Sequence, residues 1–241
     1  MDIAARARTS PRKDDEVERL LGTPGGSDPI EKGRLLHALD EAVSALTESG
    51  ITFLVMGGIA SAYFGRARGT SDVDLFIRQS ESDRVLEVLA QRGFRTEVIY
   101  EHWLSKAELD GVTVDIISRS TPDILLDDEM VRRALTGSYE GRRLSLVPPE
   151  DLVVMKALAA SEDTPRYWYD ALGIIGHTDL DWDYLIRRAR ANGPRRILAL
   201  LLYAWSNDLV VPGDPVRTLF DLVTLDAPSR DSLHDPAEAS S

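Results

Sequence analysis

Asp72 and Asp74 stand two residues apart in the run Asp72-Val73-Asp74-Leu75-Phe76-Ile77, where acids alternate with apolar residues. A β-strand has a side-chain period of two, so this spacing predicts both carboxylates on one face and Val73, Leu75 and Ile77 on the other. Like charges side by side repel unless a cation lies between them, which makes the pair a candidate site for Mg²⁺ or Mn²⁺. A second candidate lies upstream, where Gly57-Gly58 stops the apolar run 51–56 and opens IASAYF, a short predicted helix. Two glycines there let the backbone approach a ligand while the N–H groups of the helix start point at it, and phosphate is the natural ligand. A phosphate turn joined to paired carboxylates is the equipment of phosphoryl chemistry.

Thirteen residues separate Gly58 from Asp72. An apolar residue with Gly-Gly, a spacer of that length and then Asp, apolar, Asp, apolar resembles the nucleotidyltransferase superfamily related to DNA polymerase β. The resemblance implies a third metal-site carboxylate on a later strand. Asp115 is the only acid in Gly111-Val-Thr-Val-Asp115-Ile-Ile117, and an exposed strand charge is its other reading. Lys156 lies in Pro148-Pro-Glu-Asp-Leu-Val-Val-Met-Lys156, which is similar to the P-x-D-L-h-x-h-K helix of the minimal and abortive-infection toxin branches, where h is apolar. The resemblance implies that Lys156 meets the triphosphate, whereas an isolated lysine on an apolar turn ordinarily snorkels to water. Those branches continue with R-x-x-D-h-x-D. Arg166 and Asp170 keep the arginine and one acid at altered spacing, and a helix-surface i,i+4 ion pair explains them equally well. By the same resemblance Gly57, Gly58 and the Ser61 hydroxyl cradle the β- and γ-phosphates. Arg66 and Arg68 either help neutralise phosphate or pair with acids in a solvated loop.

The resemblance implies transfer of a nucleoside monophosphate from a nucleoside triphosphate to an acceptor hydroxyl. The 3′ end of a tRNA or other RNA, a protein hydroxyl and a small molecule such as an aminoglycoside are the open acceptors, and a cognate antitoxin is an implied partner. A nucleotide sensor or antitoxin-like partner of the same fold is a rival reading, and an unrelated α/β interaction domain is another.

Composition narrows the chemistry. No cysteine is present, and His37, His102, His177 and His234 lie far apart, so disulfides and thiolate zinc sites are excluded and any metal is held by oxygen. No apolar stretch reaches the ~18 residues of a membrane span and the first residues lack a signal-peptide core, which predicts a soluble, cytoplasmic protein. The net charge of −12 argues against general nucleic-acid binding. Charge is uneven, however: residues 184–206 carry five arginines and no acid, whereas 207–241 carry seven acids and two arginines. The arginine stretch reads either as an outward, solubilising helix face or as a local basic face for RNA.

The elements that must position these residues follow the hydrophobic period. Residues 1–27 are polar and read as a disordered tail. Asp28-Pro29-Ile-Glu31 reads as a capping box before Leu35, Leu36, Leu39, Val43 and Leu46 at helical spacing. A helix near 81–92 and strands near 94–100, 102–109, 112–117 and 142–147 predict a mixed sheet with packed helices. Helices are predicted at 149–160, 165–176, 181–191 and 194–207. The expected architecture is an α/β (α+β) nucleotidyltransferase domain at 28–147, a C-terminal α-helical domain at 148–211, and a largely irregular acidic tail at 212–241.

Overall fold

The computed structural model describes residues 29–65 and 68–225. The predicted tail at 1–27, the capping-box residue Asp28 and Arg66 lie outside the described residues. Helix α1 (Pro29–Glu48) precedes strand β1 (Phe53–Val55), helix α2 (Gly57–Phe64) and strand β2 (Asp72–Ile77). A 3₁₀ turn (Gln79–Glu81) leads into α3 (Ser82–Gln91), then β3 (Arg95–Tyr100), β4 (Leu104–Leu109) and β5 (Val112–Ile117). Next come α4 (Asp128–Arg133), β6 (Leu135–Tyr139) and β7 (Arg142–Leu146). The helices α5 (Pro149–Ala159), α6 (Arg166–His177), α7 (Trp182–Asn192), α8 (Pro194–Ser206) and α9 (Gly213–Leu225) complete the order.

The seven strands form one mixed sheet in the order β3-β4-β5-β2-β1-β7-β6. β2 pairs antiparallel with β1 and parallel with β5, which places the Asp72–Asp74 strand at the centre. Val73, Leu75, Phe76, Val114 and Ile116 are buried in this central pair, and α1 covers it with Leu35, Leu39 and Leu46, the stripe that helical spacing predicts. Removing such side chains from water contributes roughly 1.5–3 kcal/mol each.

α5 is buried along its length from Pro149 to Ala157, as expected of a helix with other elements on every side. Its three charges must therefore be paired. Glu150 Oε1 accepts from the Asp181 N–H at 2.7 Å, and Asp151 accepts from Tyr184 Oη at 2.6 Å and pairs with Arg188 Nε at 2.5 Å. Lys156 pairs with Asp170 at 3.2 Å.

The structure adds to three readings. Of the arginines of 184–206, Arg187 pairs with Glu129, Arg188 with Asp127 and Asp151, and Arg196 donates to the carbonyls of Ala157 and Ala160, while Arg190 and Arg195 are exposed as the outward-face reading has them. The acids that hold Arg187 and Arg188 lie in α4, its N-cap and α5, beyond the reach of a local charge count. Within 212–241, expected to be largely irregular, α9 occupies Gly213–Leu225 and buries Val216 and Leu219 where it packs on α7 and α8, and 226–241 lie outside the described residues. The sequence reading also has no element between β5 and β7, where α4 and β6 lie. Asp127 caps α4 by accepting from the Met130 N–H at 2.8 Å, and Glu140-Gly141, with φ of 48° and 80°, joins β6 to β7 in a tight hairpin. Among the described residues no helix is long and apolar enough to cross a membrane.

Candidate active site

β2 places its acids as the alternation predicts: Asp72 and Asp74 are half-buried, and Val73 and Leu75 are fully buried. The parallel register with β5 sets Asp74 directly against Asp115 and Asp72 against Thr113. Asp115 alternates with buried Val114 and Ile116, so the third carboxylate shares the face of the first two, one strand spacing of about 4.8 Å away.

The glycine turn serves these carboxylates at close range. Gly57 has φ of +62°, and a Cβ there would fall 1.7 Å from Asp74 Oδ2. At Gly58 a Cβ would fall 2.4 Å from Thr70 Oγ1, the hydroxyl that donates to Asp72 Oδ1 at 2.7 Å. The Gly58 N–H donates to Asp74 Oδ2 at 3.3 Å instead of standing free for a phosphate. Ser61 is likewise placed differently from the expectation. It is fully buried, its hydroxyl donates to the Gly57 carbonyl at 2.7 Å, and it does not line the cavity. Its position one helical turn after Gly57 lets it brace the turn from behind.

Burial pushes the Asp74 pKa up to about 6, and the Asp72 charge pushes it the same way. Burial also raises Asp115, against the opposing pull of Lys106, whose Nζ lies 3.3 Å from Asp115 Oδ1 across the β4–β5 pair.

Across the cavity the charges are positive. Asp170 is fully buried and holds two cations from different elements, accepting from Arg68 Nε and Nη2 at 3.1 and 3.0 Å and pairing with Lys156 Nζ at 3.2 Å. The surface ion-pair reading of Asp170 is therefore corrected: the altered spacing turns this acid inward, toward the loop before β2. Lys156 is itself buried, and burial lowers its pKa while Asp170 and Asp74 oppose that shift. Its ammonium lies 4.5 Å from the centre of the Tyr167 ring, and the Arg166 guanidinium lies 5.2 Å from the same ring.

Asp72, Asp74, Gly57, Gly58, Arg68 and Lys156 line one cavity of about 720 Å³. Arg166 and Tyr167 join its wall from α6, and Trp103, Ile117, Arg119 and residues 120–122 join it from the β4–β5 side. Asp115 stands beside Asp74 in the sheet but does not itself line the cavity. Of the residues that the motifs did not single out, Thr70 carries a local signal, a hydroxyl two residues before the first acid. Tyr167, Trp103 and Arg119 carry none, because only the tertiary fold brings them to the cavity.

The residues fit a hard divalent cation. Asp74 keeps a carboxylate whose ionisation is opposed by burial and by the Asp72 charge beside it, while Asp115 is compensated by Lys106 at 3.3 Å. Paired carboxylate oxygens of this kind suit Mg²⁺ or Mn²⁺. Among the described residues no three acidic or histidine side chains converge into a closed cage. A magnesium ion is ordinarily bound through one or two carboxylates, with substrate phosphates and water completing its shell.

Residues 30–206 match the profile of a family described as uncharacterised nucleotidyltransferase; this is most of the chain, and the chain belongs to that family. It is a nucleotidyltransferase built on a mixed sheet with C-terminal helices. No curated protein matches it in sequence. Among solved structures it is similar to the lincosamide antibiotic adenylyltransferase LnuA in its lincomycin-bound form, at 14% identity over 57% of this chain and 96% of that one, with a TM-score of 0.43. It is also similar to ANT(2″)-Ia in complex with adenylyl-2″-tobramycin, at 16% identity over 78% and 95% of the two chains, with a TM-score of 0.39. A tRNA nucleotidyltransferase complexed with a primer tRNA and an incoming ATP analogue shows 15% identity over 76% of this chain and 68% of that one, with a TM-score of 0.31.

Proposed function

We propose that this nucleotidyltransferase moves a nucleoside monophosphate from a nucleoside triphosphate, with Mg²⁺ or Mn²⁺, to an acceptor hydroxyl in the cavity between β2 and α5–α6. The observation that carries the reading is the facing of the Asp72–Asp74 pair by Lys156 and Arg68, two cations held by one buried acid, in a single cavity. A divalent ion held by Asp72 and Asp74, with Asp115 beside them, would neutralise phosphate charge and lower the pKa of the attacking hydroxyl. Lys156, Arg68 and Arg166 hold the β- and γ-phosphates by charge-assisted hydrogen bonds, and Asp170 keeps Lys156 and Arg68 aimed. The acceptor oxygen bonds to the α-phosphorus as the bond from that phosphorus to the bridging oxygen breaks. Pyrophosphate leaves with the electron pair. The hydroxyl proton is lost to solvent through the cavity, since Asp115 stands beside Asp74 in the sheet and does not line the cavity.

The likeness of α5 to the abortive-infection toxin branch supports a toxin-like setting with a cognate antitoxin. Arrested growth on producing the wild-type chain, but not Asp74→Asn, is the expected sign of it. Transfer itself is tested by incubating the protein with each α-³²P-labelled triphosphate, Mg²⁺ and separate small-molecule, RNA and protein fractions of a lysate. Label is expected to enter one fraction with release of pyrophosphate and to be absent with Asp74→Asn. Tight nucleotide binding without labelling of any fraction would favour a sensor of the same fold.

A further inference from the structure

One wall of the cavity carries neither Lys156, Arg68 nor Arg166. Trp103, in the turn before β4, lines it, and its indole stacks on Tyr100 with ring centroids 5.0 Å apart and planes 10° apart. The Ser118 N–H donates to the Trp103 carbonyl at 3.0 Å, which ties this turn to the end of β5. Arg119 follows on the same wall. Its Nη1 pairs with Asp123 at 3.1 Å, while its buried Nε has no hydrogen-bond partner among the described residues. Ile117, Ser120 and Pro122 complete a surface whose cavity-lining residues include no acid.

Displacement at phosphorus places the attacking and leaving oxygens roughly in line, on opposite sides of the atom. On the nucleotidyl-transfer reading, Lys156, Arg68 and Arg166 mark the side on which pyrophosphate leaves. In the sheet, β2 stands between β5, which carries the Trp103–Arg119 wall, and β1 and β7, which feed the glycine turn and α5. The attacking molecule must then enter over the wall beyond the carboxylates. We propose that Trp103 and Arg119 form the acceptor subsite, and that the acceptor is a small hydroxyl compound with a flat ring for the indole and a carboxylate or phosphate for the guanidinium. An aromatic face selects planar or ring-shaped groups, and a guanidinium selects anions. A cavity of about 720 Å³ is of the size that encloses one drug-sized ligand, so an acceptor sharing it with a nucleotide is compact.

The probes are 4-nitrophenyl β-glucuronide, which offers ring, hydroxyls and carboxylate, and 4-nitrophenyl β-glucoside, which lacks only the carboxylate. Calorimetric affinities are measured for both with saturating α,β-methylene-ATP and Mg²⁺, on the wild-type chain, Trp103→Ala and Arg119→Met, with binding of the nucleotide analogue measured in parallel. The glucuronide is expected to bind roughly tenfold more tightly than the glucoside, and Arg119→Met should erase that preference. Trp103→Ala should weaken both glycosides by about fivefold. Nucleotide affinity should stay within about twofold in both variants. An equal loss of nucleotide affinity in Trp103→Ala would overturn the assignment by placing the nucleobase on this wall. Tighter binding of kanamycin or tRNA that ignores Arg119→Met would also overturn it, as would failure of both glycosides to bind a chain that binds nucleotide. Failure of the wild-type chain to bind the nucleotide analogue would instead sink the transfer reading on which the subsite rests.

Discussion

Ionising Asp74 costs the folded protein free energy that the unfolded chain does not incur, because burial and Asp72 raise its pKa from 3.8 to about 6. Below pH 3.8 both states hold the proton and there is no cost; the cost grows as the pH rises from there to about 6 and is complete above it. It amounts to on the order of 2–3 kcal/mol. Without metal at pH 7.5, Asp74→Asn should therefore be more stable than wild type by about that much, and the gain should vanish near pH 3.5. Urea denaturation of both chains across this range checks it, and an unchanged difference between the two pH values would contradict the assigned shift. Gly57→Ala should act through the same carboxylate. A left-handed backbone carrying a side chain costs about 1–2 kcal/mol before the collision with Asp74 is counted, so lower thermal stability together with weakened Mn²⁺ binding is expected. On the facing wall, Lys156→Met would remove the charge-assisted phosphate contact that the proposed function assigns to it. Triphosphate affinity should fall by roughly 10- to 100-fold in equilibrium dialysis.

The site depends on how α5 is seated, and α7 seats it. Arg188 is mostly buried and holds Asp151 on α5 and Asp127 at the start of α4, each at 2.5 Å. Removing one partner of such a buried network strands the others, so Arg188→Met should destabilise the fold by on the order of 3 kcal/mol in urea denaturation. A loss below about 0.5 kcal/mol, as for a surface residue, would show that the network does not seat the helix. This network was invisible in the sequence, where 184–206 shows only arginines. By contrast, β2, β5 and the helices α5 to α8 were legible, because a period of two or near 3.6 is a local property of the chain. The shared sheet face of Asp72, Asp74 and Asp115 was legible for the same reason. Asp170 was legible only as a residue, since its partner Arg68 is 102 positions away. The edge strand β6 was missed because Leu135-Thr-Gly-Ser-Tyr139 buries only Gly137 and so lacks an apolar alternation.

At the scale of the molecule, a chain of net charge −12 gathers cations into one cavity while two arginines of its arginine-rich helices, Arg187 and Arg188, are paired with acids. Affinity for long polynucleotides comes largely from exposed lysine and arginine, so retention of tRNA at 0.15 M salt should be weak, with Kd no tighter than roughly 10⁻⁴ M by gel shift. On the proposed function a triphosphate should differ, because it would meet Lys156 and Arg68 already converged on Asp170 and bring its own cation. The central claim is that Asp72 and Asp74 hold a divalent ion shared with that triphosphate. Mn²⁺ titration followed by electron paramagnetic resonance, with and without a saturating non-hydrolysable triphosphate, tests it most directly. The account predicts Mn²⁺ binding that tightens when nucleotide is present and is lost in a folded Asp74→Asn chain. Mn²⁺ binding that is equally strong in Asp74→Asn and indifferent to nucleotide would contradict it.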